Sequence, residues 1–259
     1  MRTVQFQNQA GVTVTWRPVS DRTEEILQRF PPSWYGRSTR FIPWPDSPRH
    51  VCFVAEMFHH AENGRTWTVA TRHAMGRVEA WGEMETQETA SIQRLYQALG
   101  LPGNVSREPG EAIPIERDGV AIQWLPLDDR TGDVLKAYAI PEYEVRTELH
   151  FWPGIKRQIW FRATLVHHTD GGAAEQVIAS SHAAGLISHC KDLEIIETRA
   201  IQRLYGALGL GGEIFDPDED RDRAGVGAVF PWDEPLAPGQ SGSMDKNQMV
   251  DILTNLVAV

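Results

Sequence analysis

Residues 88–103 read ETASIQRLYQALGLPG and residues 197–212 read ETRAIQRLYGALGLGG, identical at 12 of 16 positions at an offset of 109. Chance does not produce that agreement, so the chain is read first as a repeat. Outward from this pair, GVTVTWRPVSDRTEEIL (11–27) matches GVAIQWLPLDDRTGDVL (119–135) at 8 of 17 positions at an offset of 108. In between, Trp44-Pro45 matches Trp152-Pro153 and His59-His60 matches His167-His168. The offset changes by one before His73 and His182, where AENGR faces TDGGAA. A Gly-containing turn is where a hairpin accepts an insertion most easily. The expected organisation is copy one over 1–105, copy two over 113–212, and a tail over 213–259.

Each copy reads as one supersecondary series. Val12, Val14 and Trp16, and then Val120, Ile122 and Trp124, recur at the period of a half-buried strand. Pro18 or Pro126 stops that strand, Asp21 or Asp129 is the expected N-cap, and Ile26, Leu27 and Phe30 (Val134, Leu135 and Tyr138 in copy two) predict a short amphipathic helix. An irregular Pro- and Trp-containing stretch follows. Residues 50–58 and 66–75 then read as strands around the Asn63-Gly64 turn, with 78–84 as a further strand. Residues 88–99 close the unit as a helix, with Ile92, Leu95, Tyr96 and Leu99 as its stripe and Gly100 at the left-handed C-terminal position. The expected fold class is α+β, a β-α-β-β-β-α unit present twice. Apolar surface that one copy cannot bury alone is covered by the other, which predicts a pseudo-twofold intramolecular dimer joined either sheet edge to sheet edge or through the helix layers.

Composition narrows the function classes. A hydrophobic fraction of 41% over 259 residues supports a packed core. No run of 18 apolar residues occurs and the first residues lack a signal-peptide pattern, so neither a membrane nor an export route is expected. Cys52 and Cys190 fall at unmatched positions, which argues against a disulfide framework or a cysteine zinc site and favours a reducing, cytoplasmic setting. The net charge of -10 is unevenly spread: residues 1–110 carry 12 basic against 11 acidic groups, 111–212 carry 10 against 14, and 213–259 carry 3 against 10. Acidity concentrated in the tail weakens the usual argument against a nucleic-acid partner. The tail contains DPDEDRDR with many Pro and Gly, and ends in SMDKNQMVDILTNLVAV, where Met249, Ile252, Leu253 and Leu256 recur at helical spacing. An acidic tail closing in a short amphipathic helix is expected, a shape suited to a groove.

No catalytic, cofactor or metal constellation emerges. His59 and His73 fall about 20 Å apart along the expected hairpin at about 3.3 Å per residue, too far for one zinc. Asp216, Asp218, Asp220 and Asp222 alternate like a calcium loop, but Arg221 and Gly227 occupy the positions of its turn glycine and terminal glutamate. The carboxylates around the closing helix (Glu83, Glu85, Glu88; Asp192, Glu194, Glu197) read as partners of its dipole. Both copies keep Asp-Arg-Thr (21–23 and 129–131), Glu-Thr (88–89 and 197–198) and Gln-Arg (93–94 and 202–203), polar residues that apolar packing does not demand. Arg22 and Arg130, with Arg94 and Arg203, are therefore either locks for the helices or a symmetric pair of binding patches.

The ET-x-x-I-x-R-L-x-x-A-L-G-L pattern after a strand meander resembles the last helix of single-strand annealing proteins, and the β-β-β-α order resembles a double-stranded-RNA-binding domain. Each resemblance covers under a quarter of the chain, and the RNA module places lysines where Glu85, Glu88, Glu194 and Glu197 stand here. The leading expectation is a non-catalytic binding or assembly protein that presents a two-lobed platform to a protein partner, with the tail helix as an accessory contact. The first alternative is single-stranded nucleic-acid binding through Arg37, Arg40, Arg49, Arg65, Arg72 and Arg77 of copy one, with Trp34, Tyr35 and Trp44 stacking on bases, opposed by the acidic tail. The second is an enzyme using histidines between the lobes.

Overall fold

Val51, Phe53, Ala55 and Met57 alternate along one strand, and Ile159, Phe161, Ala163 and Leu165, 108 residues later, alternate along another; all eight are buried. These are the inward rows of a six-stranded sheet. The computed structural model describes residues 3–7, 13–44, 49–78, 81–103, 113–117, 120–124, 127–155 and 157–210, all within one compact unit, Met1–Ile214. The expected tail, with Met249, Ile252, Leu253 and Leu256, lies outside the described residues.

The first copy runs β1 (Val4–Gln7), β2 (Thr13–Trp16), α1 (Val19–Arg29), β3 (Tyr35–Pro43), β4 (His50–His60), β5 (Thr66–Arg77) and α2 (Trp81–Ala98). The second runs β6 (Ile113–Arg117), β7 (Val120–Trp124), α3 (Leu127–Ala137), β8 (Tyr143–Phe151), β9 (Gln158–Thr169), β10 (Ala174–Leu186) and α4 (Cys190–Ala207). The same elements recur in the same order, and even the irregularities recur. Pairing skips Val69 between Met57↔Ala70 and Phe58↔Thr68, and skips Ile178 between Leu165↔Ala179 and Val166↔Val177, so each third strand carries its bulge at the matching place. Gly100 and Gly209 both take the left-handed conformation (φ 79° and 71°) that ends α2 and α4.

Four expectations need correction. Each unit opens with a two-stranded hairpin, β1-β2 or β6-β7, because Val4–Gln7 pairs with Thr13–Trp16 and Ile113–Arg117 with Val120–Trp124. The third strand of the meander lies before the other two: Tyr35–Pro43, the stretch expected to be irregular, is β3, whose polar sequence suits an edge with only one neighbour. Residues 78–84 instead lead into α2, which begins at Trp81, seven residues before Glu88. α1 likewise starts at Val19 after Pro18, so Asp21 sits in its first turn and not at the cap.

The fourth correction concerns symmetry. The sheet order is β10-β9-β8-β5-β4-β3, and the central pair, β5 and β8, runs parallel with Ala70 opposite Val145. β5 is the last strand of its meander and β8 the first of its own, so unlike edges meet. A twofold axis would bring identical patches together. The copies are joined edge to edge but head to tail. This arrangement lets α4 cover β5 as well as β9 and β10, burying the seam under a helix of the second copy.

Candidate functional site

The densest polar cluster lies on that seam and is built by helical periodicity. Leu193, Ile196, Glu197, Ala200, Ile201 and Leu204 form the buried stripe of α4, so the i, i+3, i+4 spacing that turns the leucines and isoleucines inward turns the Glu197 carboxylate inward too. Glu197 has no exposed surface. Its Oε1 lies 2.8 Å from His73 Nδ1 and accepts from Thr147 Oγ1 at 2.7 Å, while its Oε2 accepts from Arg94 Nη2 at 2.6 Å and from the His73 backbone N–H at 3.4 Å. An ionised carboxylate only accepts, so His73 Nδ1 carries the proton in this bond. Arg94 also reaches Glu194 at 3.5 Å, and buried Arg72 donates to the Thr71 and Val145 carbonyls at 2.6 and 3.5 Å. Burial by itself would raise the Glu197 pKa; the charge of Arg94, the charge and hydrogen bond of His73, and the charge of Arg72 outweigh it and hold the carboxyl far below the ordinary range.

Because α2 begins at Trp81 and α4 at Cys190, Glu88 and Glu197 stand beyond the first turns, and the helix dipole does not account for them. Glu83 and Asp192 do occupy first turns. In copy one Thr39 donates to Glu88 as Thr147 donates to Glu197.

A second cluster belongs to copy two alone. Glu144, His168 and Glu175 lie close enough together to suggest a cation site. The cation already present is Arg146: its Nη2 lies 2.8 Å from Glu144 and 2.9 Å from Glu175, with Nε at 3.0 Å and Nη1 at 3.1 Å completing two forks. At the matching positions of copy one stand Gly36, Ser38, His60 and Thr66, and the charges are gone.

The arginines singled out in the sequence separate into groups. Arg22 and Arg130 are buried. Arg22 lies over the Trp16 and Tyr96 rings at 5.5 and 5.9 Å and donates to the Gln93 and Leu101 carbonyls at 3.4 Å, and so locks α1 onto α2. The neighbouring threonines repeat this lock: Thr23 meets the Tyr96 hydroxyl at 3.0 Å and Thr131 the Tyr205 hydroxyl at 3.4 Å. Neither buried arginine can serve as a binding patch. Arg94 belongs to the seam, whereas Arg203 is exposed on α4. Arg37, Arg40 and Arg49 are exposed, and Arg37 Nη1 donates to the Tyr96 hydroxyl.

Of the three aromatics, Trp34 is exposed and stacks on His59, and Tyr35 is half-buried against Phe30 and His59. Trp44 is buried edge-on against Phe151, which removes it from any stacking surface. Cys52 is buried and its thiol is pushed up to about 12, chiefly by burial with the Glu197 charge adding to it, so it is no nucleophile.

Sequence reasoning missed Thr147, Arg146 and Glu144, and it set Arg72 on a nucleic-acid surface, whereas Arg72 is buried at the seam. Thr147 had a readable signal, since Thr39 matches it at the 108 offset. A cavity beside the seam, lined by Val69, Arg72, Val134, Tyr138, Val145 and Tyr205, holds about 10 Å³, the room of one water. Among the described residues no helix is long and apolar enough to cross a membrane. No known protein family matches the chain, and no curated protein matches it.

Proposed function

We propose that this chain is a non-catalytic binding or assembly protein, two copies of one unit forming a continuous platform that engages a macromolecular partner. One observation carries the reading: several of the polar residues that both copies keep are used to hold the molecule together. Arg22 and the threonines Thr23 and Thr131 lock helices, and Arg94 and Glu197 join the copies, together with His73 and Thr147. The same residues argue against the histidine enzyme, because His73 is buried with its Nδ1 committed to Glu197.

A nucleic-acid partner is the second reading, favoured by exposed Arg37, Arg40, Arg49, Arg65 and Arg77 with exposed Trp34, all in copy one. A pull-down with the full chain and with a chain ended at residue 212, each with and without nuclease, distinguishes the two. A protein recovered after nuclease supports the first reading. Material that disappears with nuclease, and is bound more strongly by the shortened chain at low salt, replaces it with the second.

A further inference from the structure

We propose that the open edge of β10 pairs with the open edge of β3 in a second copy of this chain, repeating between molecules the parallel join that β5 and β8 make within one. The join has two unlike halves. The third strand and closing helix of copy one supply Ala70, His73 and Arg94, the donor half, named for the bonds His73 and Arg94 give to carboxylates; the first strand and closing helix of copy two supply Val145, Thr147, Glu194 and Glu197, the acceptor half, named for those carboxylates, with Thr147 itself donating to Glu197 and to the Thr71 carbonyl. Each copy contains both halves. Copy two therefore presents a second donor half, Ala179, His182 and Arg203, and copy one a second acceptor half, Thr39, Glu85 and Glu88, at the sequence offsets of 109 and 108.

Burial marks these two halves as uncovered. In β5, Val69 is 1% exposed and Thr71, Arg72 and His73 are buried; in β10 their counterparts Ile178, Ser180 and His182 are exposed, Ile178 at 40%, and Ser181 is half-buried. Leu149 of β8 is half-buried, and its counterpart Phe41 of β3 is 44% exposed. From Val177 to Leu186 the β10 edge carries no Asp, Glu, Lys or Arg, the residues that ordinarily blunt such an edge. The acceptor half is already arranged, since Thr39 donates to Glu88 as Thr147 does to Glu197. Arg37, at the position of Val145, is folded back onto Tyr96 of its own helix.

β10 and β3 are the two ends of the strand order and do not pair with each other, so the two halves stand on different edges of one sheet. Only another molecule brings the halves together, and the register of the seam places Ala179 opposite Arg37. Each molecule has one edge of each kind, so the pairing propagates and closes into a ring or continues as a filament according to the rotation per step. Self-pairing does not depend on which macromolecule the platform engages.

The test is light scattering on the full chain and on two single variants at exposed side chains, Ile178→Lys at the donor edge and Phe41→Lys at the acceptor edge, with circular dichroism melts to establish that each is folded. Arg203→Ala and Glu88→Gln provide a second pair should either lysine variant fail to fold. The wild-type mass is expected to rise with concentration above that of one chain, each variant to remain at one chain, and their equimolar mixture to stop at two, because one intact edge of each kind remains. A wild-type chain that stays single at every concentration, a variant that assembles as wild type does, or a mixture that stays single or passes two chains overturns the proposal.

Discussion

Removing the Glu197 side chain is the most direct probe of the seam. Glu197→Ala takes away a fully buried carboxylate that accepts from Arg94, His73 and Thr147, removes the negative charge facing buried Arg72 and leaves Arg94 with only its longer pair to Glu194 at 3.5 Å. Breaking one side of such a pair costs about 3–5 kcal/mol, a large part of the about 5–15 kcal/mol that holds a typical domain. Glu88→Ala supplies the internal control: it is the same residue at the same place in α2, but its hydrogen bond comes from Thr39 alone among the bonds described and it is half-exposed, so about 1 kcal/mol is expected. Urea unfolding of dilute protein reads both losses as midpoint shifts at constant slope. A double-mutant cycle with Arg94→Ala should return a coupling of about 1–3 kcal/mol.

The pH dependence follows from the same carboxylate. The folded state holds its pKa below the unfolded value of about 4.3, so the unfolded chain binds more protons there and the Glu197 contribution, complete above about pH 4.3, is lost as the pH falls further. Glu197→Gln should flatten that part of the stability profile. If Glu197→Ala proved no more costly than Glu88→Ala, the seam cluster would not be what holds the copies together, and the reasoning would fail.

The remaining predictions are local. Gly172→Ala should destabilise by about 1–3 kcal/mol, because its φ is 81° and a Cβ would stand 2.3 Å from the Trp67 ring, whereas Gly132→Ala in α3, which meets nothing within 4 Å, should stabilise by about 0.5–1 kcal/mol; thermal melts compare them. Under native conditions a thiol reagent should modify half-buried Cys190 and leave Cys52 untouched until denaturant is added, and rapid labelling of both would contradict the burial described. His150, stacked on Trp160 with centroids 3.8 Å apart, should titrate below about 6.5 by NMR, since burial disfavours its charged form and outweighs the Glu148 charge; its share of stability is then lost as the pH falls through that region, and His150→Gln should reduce the loss.

What could be read beforehand depended on whether a signal was local. The repeat, α1 with its Ile26 and Phe30 face, the Asn63-Gly64 hairpin and the glycine ends of α2 and α4 were legible because each is encoded within a few residues. β3 was not, since Tyr35–Pro43 takes its strand conformation from pairing with His50–His60 and its composition is that of a solvated edge. Placing the start of α2 seven residues late had a chemical consequence: it moved Glu88, and with it Glu197, into a first turn, where the dipole gave a sufficient explanation. With the correct start, a lone glutamate inside an apolar stripe points to a buried partner. The parallel seam was beyond sequence reasoning because its two sides, Ala70 and Val145, are brought together by topology.

The β5–β8 pair also gives the sheet a grain. Within each copy the strands are joined along their length, as in the registers Val51↔Gly76 through His60↔Thr66 and Tyr143↔His167 through Phe151↔Ile159, whereas across the seam a single backbone bridge is supplemented by side chains. Load applied across the strands will therefore not be shared equally. The sheet parts first between β5 and β8, in the manner of a perforation, and each three-stranded half comes away with its own helices.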